Sequence, residues 1–232
     1  MDIDSCMNPP MISNIPEFRT STSGVYISLE GIDGCGKTTQ AKYLEDVLSA
    51  QFADRKVMLV REPGTTPASE YIRRMLVTTG RPEMHALTEL LLFTAARYEA
   101  MHDIILPELD AGTIVISDRC TDSTLVFQHT VDRDVILKQA HMACGGICPQ
   151  MSIILDISVD EAIARTQNGG NWDERHYERV ERSVIEDRRQ RYMDLVNESS
   201  PPWKRVGVSA HGTRDQVMQR ILRTIAQIDA LR

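Results

Sequence analysis

The sequence predicts an α/β domain in three layers, α/β/α, built on a five-stranded parallel sheet. Two observations predict it. From residue 25 onward, short β-prone runs alternate with segments of helical periodicity, and that alternation specifies parallel strands joined by crossover helices. The first such run, VYISL at 25–29, is followed by GIDGCGKT at 31–38. This is the pattern G-x-x-x-x-G-K-[ST], whose required context is a strand before it and a helix after it. A chain of 232 residues suits one domain of this kind with a substantial core.

Taken in order, residues 1–24 are polar and rich in Ser, Thr, Asn and Pro. They predict a disordered or loosely docked extension, with the domain proper at 25–232. No charged segment followed by an apolar stretch marks them as a secretion signal. The strand at 25–29 is apolar on both faces, as a buried parallel strand must be. A helix follows at 40–50, then a second strand at 56–61 (KVMLVR) that ends in REPG at 61–64. The spacing of Ile72, Met75 and Leu76 predicts a helix over 67–78. A long helical stretch covers 86–109, and Pro107 is expected to kink or end it. TIVIS at 113–117 is the third strand and runs into Asp118 and Arg119. A helix at 132–143, a strand at 151–156 and a short helix at 159–166 come next. Gly169 and Gly170 make a flexible joint before a strongly charged helix at 173–196, which Pro201 and Pro202 close. A fifth strand at 204–208 and a helix at 213–231 complete the chain.

Composition narrows the function. The net charge of −7 disfavours a general nucleic-acid or membrane-surface binder, and no apolar run is long enough for a membrane span. Five scattered cysteines, an odd number, look like reduced thiols rather than a disulfide framework. The expected location is the cytoplasm, or the host cytoplasm for a virus-encoded chain. Cys144 and Cys148, with His141 nearby, fall short of the four ligands of a structural zinc.

The chemistry concentrates at strand ends, where ligands of such sheets bind. Glycines at 31, 34 and 36 let the loop curl so that backbone N–H groups face one anion. The following helix adds its dipole. Gly31, Ile32, Asp33, Gly34, Cys35, Gly36, Lys37, Thr38 and Thr39 are therefore the expected ATP-binding stretch. Lys37 can reach the outer phosphates, and Thr38 with Asp118 are the expected Mg²⁺ ligands. The loop carries no arginine of its own. Arg175, Arg179 and Arg182 share one helical face just after the glycine joint, as a closing lid at about 168–182 would need. The other reading of those charges is a solvated salt-bridge face with Glu178, Glu181 and Glu186. Phe93 and Arg97, four apart on the long helix, could receive a nucleobase by stacking and a hydrogen bond, although a lone Phe is more often core.

These residues together resemble the thymidylate kinase family. The marks are LEGIDGCGKTT at 29–39, REPG at 61–64, LLFTAAR at 91–97, and Asp118-Arg119 with Ser123 and Thr124. The resemblance runs from about residue 25 to the C-terminus. It implies a P-loop kinase fold with a helical lid, transfer of phosphoryl from ATP to dTMP, a Mg²⁺ cofactor and a homodimer formed through helices. It further implies that Asp33 lies between the two nucleotides. Pro63 would sit in a tight turn near the acceptor phosphate, with Glu62 beside it. Arg73 and Arg119 would hold that phosphate, Phe93 would stack on thymine and Arg97 would reach a base carbonyl. Ser123 and Thr124 would line the base edge, and Phe127 would flank the sugar. Lys37, Asp33, Arg119 and the lid residues Arg175 and Arg179 are then the catalytic set.

The chain departs from the family pattern at several positions. Thr65 stands in place of a second Gly after REPG, Cys120 follows Asp118-Arg119 where His or Tyr is usual, and Phe127 replaces the frequent Tyr. A 5-modified dUMP is therefore a second expected acceptor. A deoxynucleoside is a third, with Glu62 as the base a hydroxyl nucleophile needs. A module that uses ATP to drive a switch is the non-enzymatic alternative.

Overall fold

The computed structural model describes residues 17–78, 82–168, 181–198 and 202–231. Strands β1 (Val25–Glu30), β2 (Val57–Arg61), β3 (Ile114–Asp118), β4 (Met151–Asp156) and β5 (Arg205–Ser209) form one sheet in the order β2-β3-β1-β4-β5. All neighbours pair in parallel. Around the sheet lie α1 (Lys37–Gln51), α2 (Pro67–Val77), α3 (Ala86–Ala100), α4 (Leu106–Asp110) and α5 (Thr121–Phe127). They are followed by α6 (Arg133–Ala143), α7 (Val159–Asn168), α8 (Arg182–Val196) and α9 (Arg214–Ile225).

β1 is buried along its whole length, and its side chains alternate between faces as strand geometry requires. Val25, Ile27 and Leu29 join a core that includes Leu44 and Leu48 of α1 and Ile221 of α9. Tyr26 joins a second cluster with Val60, Val115, Met101, Ile105 and Leu109. Helices thus cover both faces, the burial that lets a parallel sheet be apolar throughout. The register brings Leu29 of β1 and Arg61 of β2 level with Asp118 of β3, so these strands end at one rim.

The long helix differs from expectation. It runs past Pro107 to Asp110, but the proline is met by an irregularity, a π turn at Met101–Ile105, rather than by an end. Proline lacks an N–H and its ring crowds the carbonyl of residue 103. A wider turn directly before it accommodates both effects. Burial of Met101, Ile105 and Leu109 against the sheet holds the segment helical. The last helix is also shorter than expected, ending at Ile225 before a 3₁₀ turn at Asp229–Leu231.

Helix α5 has no counterpart in the sequence reading. It is seven residues long, too short for a periodic signal. Its first turn is held from a distance: Glu30 Oε1 accepts from the backbone N–H of Cys120 at 2.7 Å and of Ser123 at 3.2 Å. Residues 17–24 of the extension lie against the domain. Arg19 bridges to Ile147, and Phe18 sits edge-on to His141 and Trp203. The expected glycine joint and residues 173–180 of the charged helix lie outside the described residues. No described helix is long and apolar enough to cross a membrane.

Candidate active site

The loop after β1 is built as its glycines require. Gly31 has φ +133° and Gly34 φ +82°, and a Cβ at Gly34 would lie 2.4 Å from the Ala162 carbonyl oxygen. Larger residues are excluded there by both conformation and space. Helix α1 starts at Lys37, ahead of the expected residue 40, with Gly36 as its N-cap. Lys37 is buried, and its Nζ donates to the carbonyls of Gly31 and Ile32 at 2.9 Å each. Ile32 itself turns into the core. Thr38 Oγ1 donates to Asp118 Oδ2 at 2.5 Å, linking the loop to the end of β3.

A groove of about 1050 Å³ opens over this loop. It is lined by residues 33–40, Lys42, Arg61, Glu62, Arg73, Asp118 and Arg119, and by Arg165, Thr166, Gly212, Arg214 and Val217. Arg165, Arg214 and Lys42 were not singled out from the sequence. Arg214 lies over the Tyr43 ring, 4.4 Å from its centroid, and Arg165 donates to the Ala210 carbonyl at 2.9 Å.

A second cavity, about 150 Å³, lies beside it between α2, α3 and α5. It gathers every residue assigned to the acceptor: Glu62, Pro63, Arg73, Phe93, Arg97, Arg119, Ser123, Thr124 and Phe127. Phe93 is half-buried on its wall rather than packed into the core. Arg97 is 5 % exposed and its Nε donates to Glu62 Oε2 at 2.6 Å. The same guanidinium donates to Thr124 Oγ1, and Tyr26 donates its hydroxyl to Glu62 Oε1. This buried pair fixes the Arg97 fork from both sides. Arg73 donates to the Pro63 carbonyl at 3.0 Å. The peptide bond between Glu62 and Pro63 is cis. Thr65, where the family pattern has Gly, takes φ +87°, a region that disfavours β-branched residues. Its hydroxyl bonds both the N–H and the carbonyl of Arg61, which anchors the turn.

Gln128 also lines this cavity and was missed. It is 95 % buried (5 % exposed) and lies four residues after Thr124, so the i, i+4 rule points both at one space. That spacing was the available signal. It went unread because α5 itself was not foreseen.

The two cavities share four residues: Asp33, Glu62, Arg73 and Arg119. Arg119 adopts φ +75°. It is held there by Ser117 Oγ donating to its carbonyl and by its own N–H donating to Leu29. Strained backbone of this kind is concentrated at functional sites. Its Nη2 meets Asp33 Oδ1 at 2.5 Å. Burial would raise the Asp33 carboxyl, but Arg119, then Lys37 and Arg188, outweigh it and hold the group below the usual Asp value. Asp33 is therefore ionised at neutral pH, and four charged side chains bracket the junction. Arg175 and Arg179 lie outside the described residues.

A model of the thymidylate kinase family matches residues 29–221. The chain belongs to the thymidylate kinase family. It is a phosphotransferase with the family's five-stranded P-loop fold. The thymidylate kinase of Symbiobacterium thermophilum is 35 % identical to it over 207 residues, covering 88 % of this chain and 94 % of that one. That of Syntrophotalea carbinolica is 36 % identical over 203 residues, 84 % and 92 % of the two chains. The crystal structure of thymidylate kinase from Ehrlichia chaffeensis aligns with a TM-score of 0.68 at 26 % identity, over 88 % of this chain and 99 % of that one. This thymidylate kinase family member therefore shares that fold over most of its chain.

Proposed function

We propose that the protein transfers the γ-phosphoryl of ATP to dTMP, giving ADP and dTDP. The observation that carries this is the meeting of the two cavities at Asp33, Glu62, Arg73 and Arg119. The larger groove, over the loop and the α1 N-terminus, takes the triphosphate. The smaller cavity takes the monophosphate, with Phe93 against the base and Arg97, Thr124 and Gln128 on its polar edge. An oxygen of the acceptor phosphate attacks the γ-phosphorus in line, and the bond to the β-phosphate oxygen breaks. The acceptor is already anionic, so positioning and charge stabilisation do most of the work. Lys37 faces the donor phosphates. Arg73 and Arg119 hold the acceptor, and Arg175 and Arg179 are assigned to the transferred group on their sequence pattern.

Thr38 and Asp118 would hold a magnesium ion, since hydroxyl and carboxylate are the hard oxygen donors it prefers and the two lie within hydrogen-bond distance. When bound, the ion supplies charge neutralisation to the triphosphate. Glu62 is engaged by Arg97 and Tyr26, which disfavours it as the base of a nucleoside kinase. The test is ADP release from ATP·Mg²⁺ with dTMP, dUMP, 5-hydroxymethyl-dUMP or thymidine as acceptor. Strong stimulation by dTMP is expected. Stimulation by thymidine alone would overturn the reading.

A second expectation concerns Gln128. Its amide offers a donor and an acceptor to the imide edge of the base. Gln128→Leu should raise the KM for dTMP roughly 5–10-fold, the worth of a buried hydrogen bond, with kcat within about twofold. An unchanged KM would remove Gln128 from base recognition.

The protein is also proposed to be a homodimer. Leu87, Leu91 and Tyr98 of α3 are 49 %, 52 % and 46 % exposed. At spacings of four and seven residues they form one apolar stripe, the pattern of a helix that packs against another. Sedimentation velocity should show a dimer for the native protein and a monomer for Leu91→Glu. A monomeric native protein would dispose of this assignment.

A further inference from the structure

Helix α8 carries two residues, Arg188 and Tyr192, that contact side chains lining the acceptor cavity without lining it themselves. They are four apart and so share one helical face. The Arg188 guanidinium lies 4.5 Å from the centroid of the Phe127 ring, whose other cationic neighbour, Arg119, lies at 5.2 Å. Phe127 lines the cavity, and Arg188 packs on its ring. Arg188 is also among the charges that hold Asp33 ionised.

Tyr192 is 1 % exposed and its hydroxyl closes a directional network. The Tyr192 hydroxyl donates to Glu30 Oε2 at 3.1 Å. It then accepts from Arg119 Nη1 at 3.2 Å. Ser123 Oγ plays the same double part, donating to Glu30 Oε2 at 2.7 Å and accepting from Arg119 Nη1 at 2.9 Å. Arg119 thus has two oriented acceptors on one nitrogen, both backed by one buried carboxylate.

We propose that α8 backs the wall of the acceptor-phosphate site, with Arg188 as a further cation there and Tyr192 as the residue that positions Arg119. This rests on the reading of the smaller cavity as the monophosphate site. Arg188 adds charge near the phosphate end, and Tyr192 acts only through Arg119. A cation held by stacking on an aromatic face is preorganised and costs little to recruit.

The distinguishing experiment compares binding of dTMP with binding of thymidine, which has the same base and sugar but no phosphate. Calorimetric affinities would be measured for the native protein, Arg188→Gln and Tyr192→Phe, alongside melting temperatures and the KM for ATP. Each variant is expected to weaken dTMP roughly 5–10-fold, the loss of one charge-assisted contact or its alignment, with thymidine affinity and ATP KM within about twofold. Equal weakening of both ligands would overturn the proposal, because α8 would then hold only the cavity's shape. Unchanged dTMP affinity would overturn it as well. Arg188 is half-buried on the helix surface, so its variant remains informative even if Tyr192→Phe unfolds. Native protein that binds thymidine but gains nothing from the phosphate would instead refute the monophosphate reading itself.

Discussion

Lys37→Ala is expected to lower kcat with ATP and dTMP at least about 10²-fold, comparable to removing one preorganised charge donor from a phosphoryl-transfer site. The Lys37 ammonium sits inside the loop, beside the carbonyls of Gly31 and Ile32 and 3.9 Å from Asp33. It is 6 % exposed, so its charge acts in a medium that screens it far less than water does. The substitution removes the Lys37 bonds to the Gly31 and Ile32 carbonyls but leaves Gly31 and Gly34, whose positive φ shapes the loop, in place. Binding of dTMP in the neighbouring cavity should therefore persist while turnover collapses. The measurement is steady-state ADP release at saturating dTMP, with dTMP affinity as the control. Near-normal turnover would sink the assignment of this loop to the donor.

Asp122→Ala should destabilise the fold by about 3–5 kcal/mol, the cost of stripping one partner from a buried ion pair. Arg205 on β5 and Asp122 on α5 both have fully buried side chains, and their contact is 2.8 Å. The other Asp122 oxygen accepts from Trp203 Nε1 at 3.1 Å. Glu198 Oε2 takes the Arg205 Nη1 at 2.6 Å, while Nη2 has no hydrogen-bond partner among the described residues. Removing Asp122 therefore leaves a guanidinium with a single carboxylate in the core. At this chain length the loss corresponds to a melting temperature lower by roughly 10 °C. Thermal unfolding followed by circular dichroism would show it. A shift of about 1 °C or less would mean that Glu198 and solvent compensate, against the geometry.

Much of the site was legible because its signals are local. The glycine spacing at 31, 34 and 36 reports a backbone requirement of those residues alone. Asp118 and Arg119 follow a strand whose apolar run marks its own end. The acceptor residues from Glu62 to Phe127 were foreseen as a set only through the family resemblance, since most of them lie on α2, α3 and α5 rather than at strand ends. Gln128 carried a spacing signal that needed the short α5 to be read, and Arg188 was not legible, since it depends on a helix face whose orientation only packing sets. Arg188 reads in the sequence as one of many charges on a polar helix.

The sequence by itself determined the succession of five strands and of the helices between them other than α5, the parallel sheet and the loop at residues 31–39. Hydrophobic period and turn chemistry act over a few residues, so they survive without knowledge of the fold. Tertiary structure alone decided the helix through Pro107, the short α5 and the setting of Arg119. Burial of Met101, Ile105 and Leu109 overrode the proline. Glu30 caps α5 across 90 residues of chain and receives Tyr192 across 162. Such partners meet only because β1 lies at the centre of the sheet, where a buried carboxylate must find donors wherever the chain brings them.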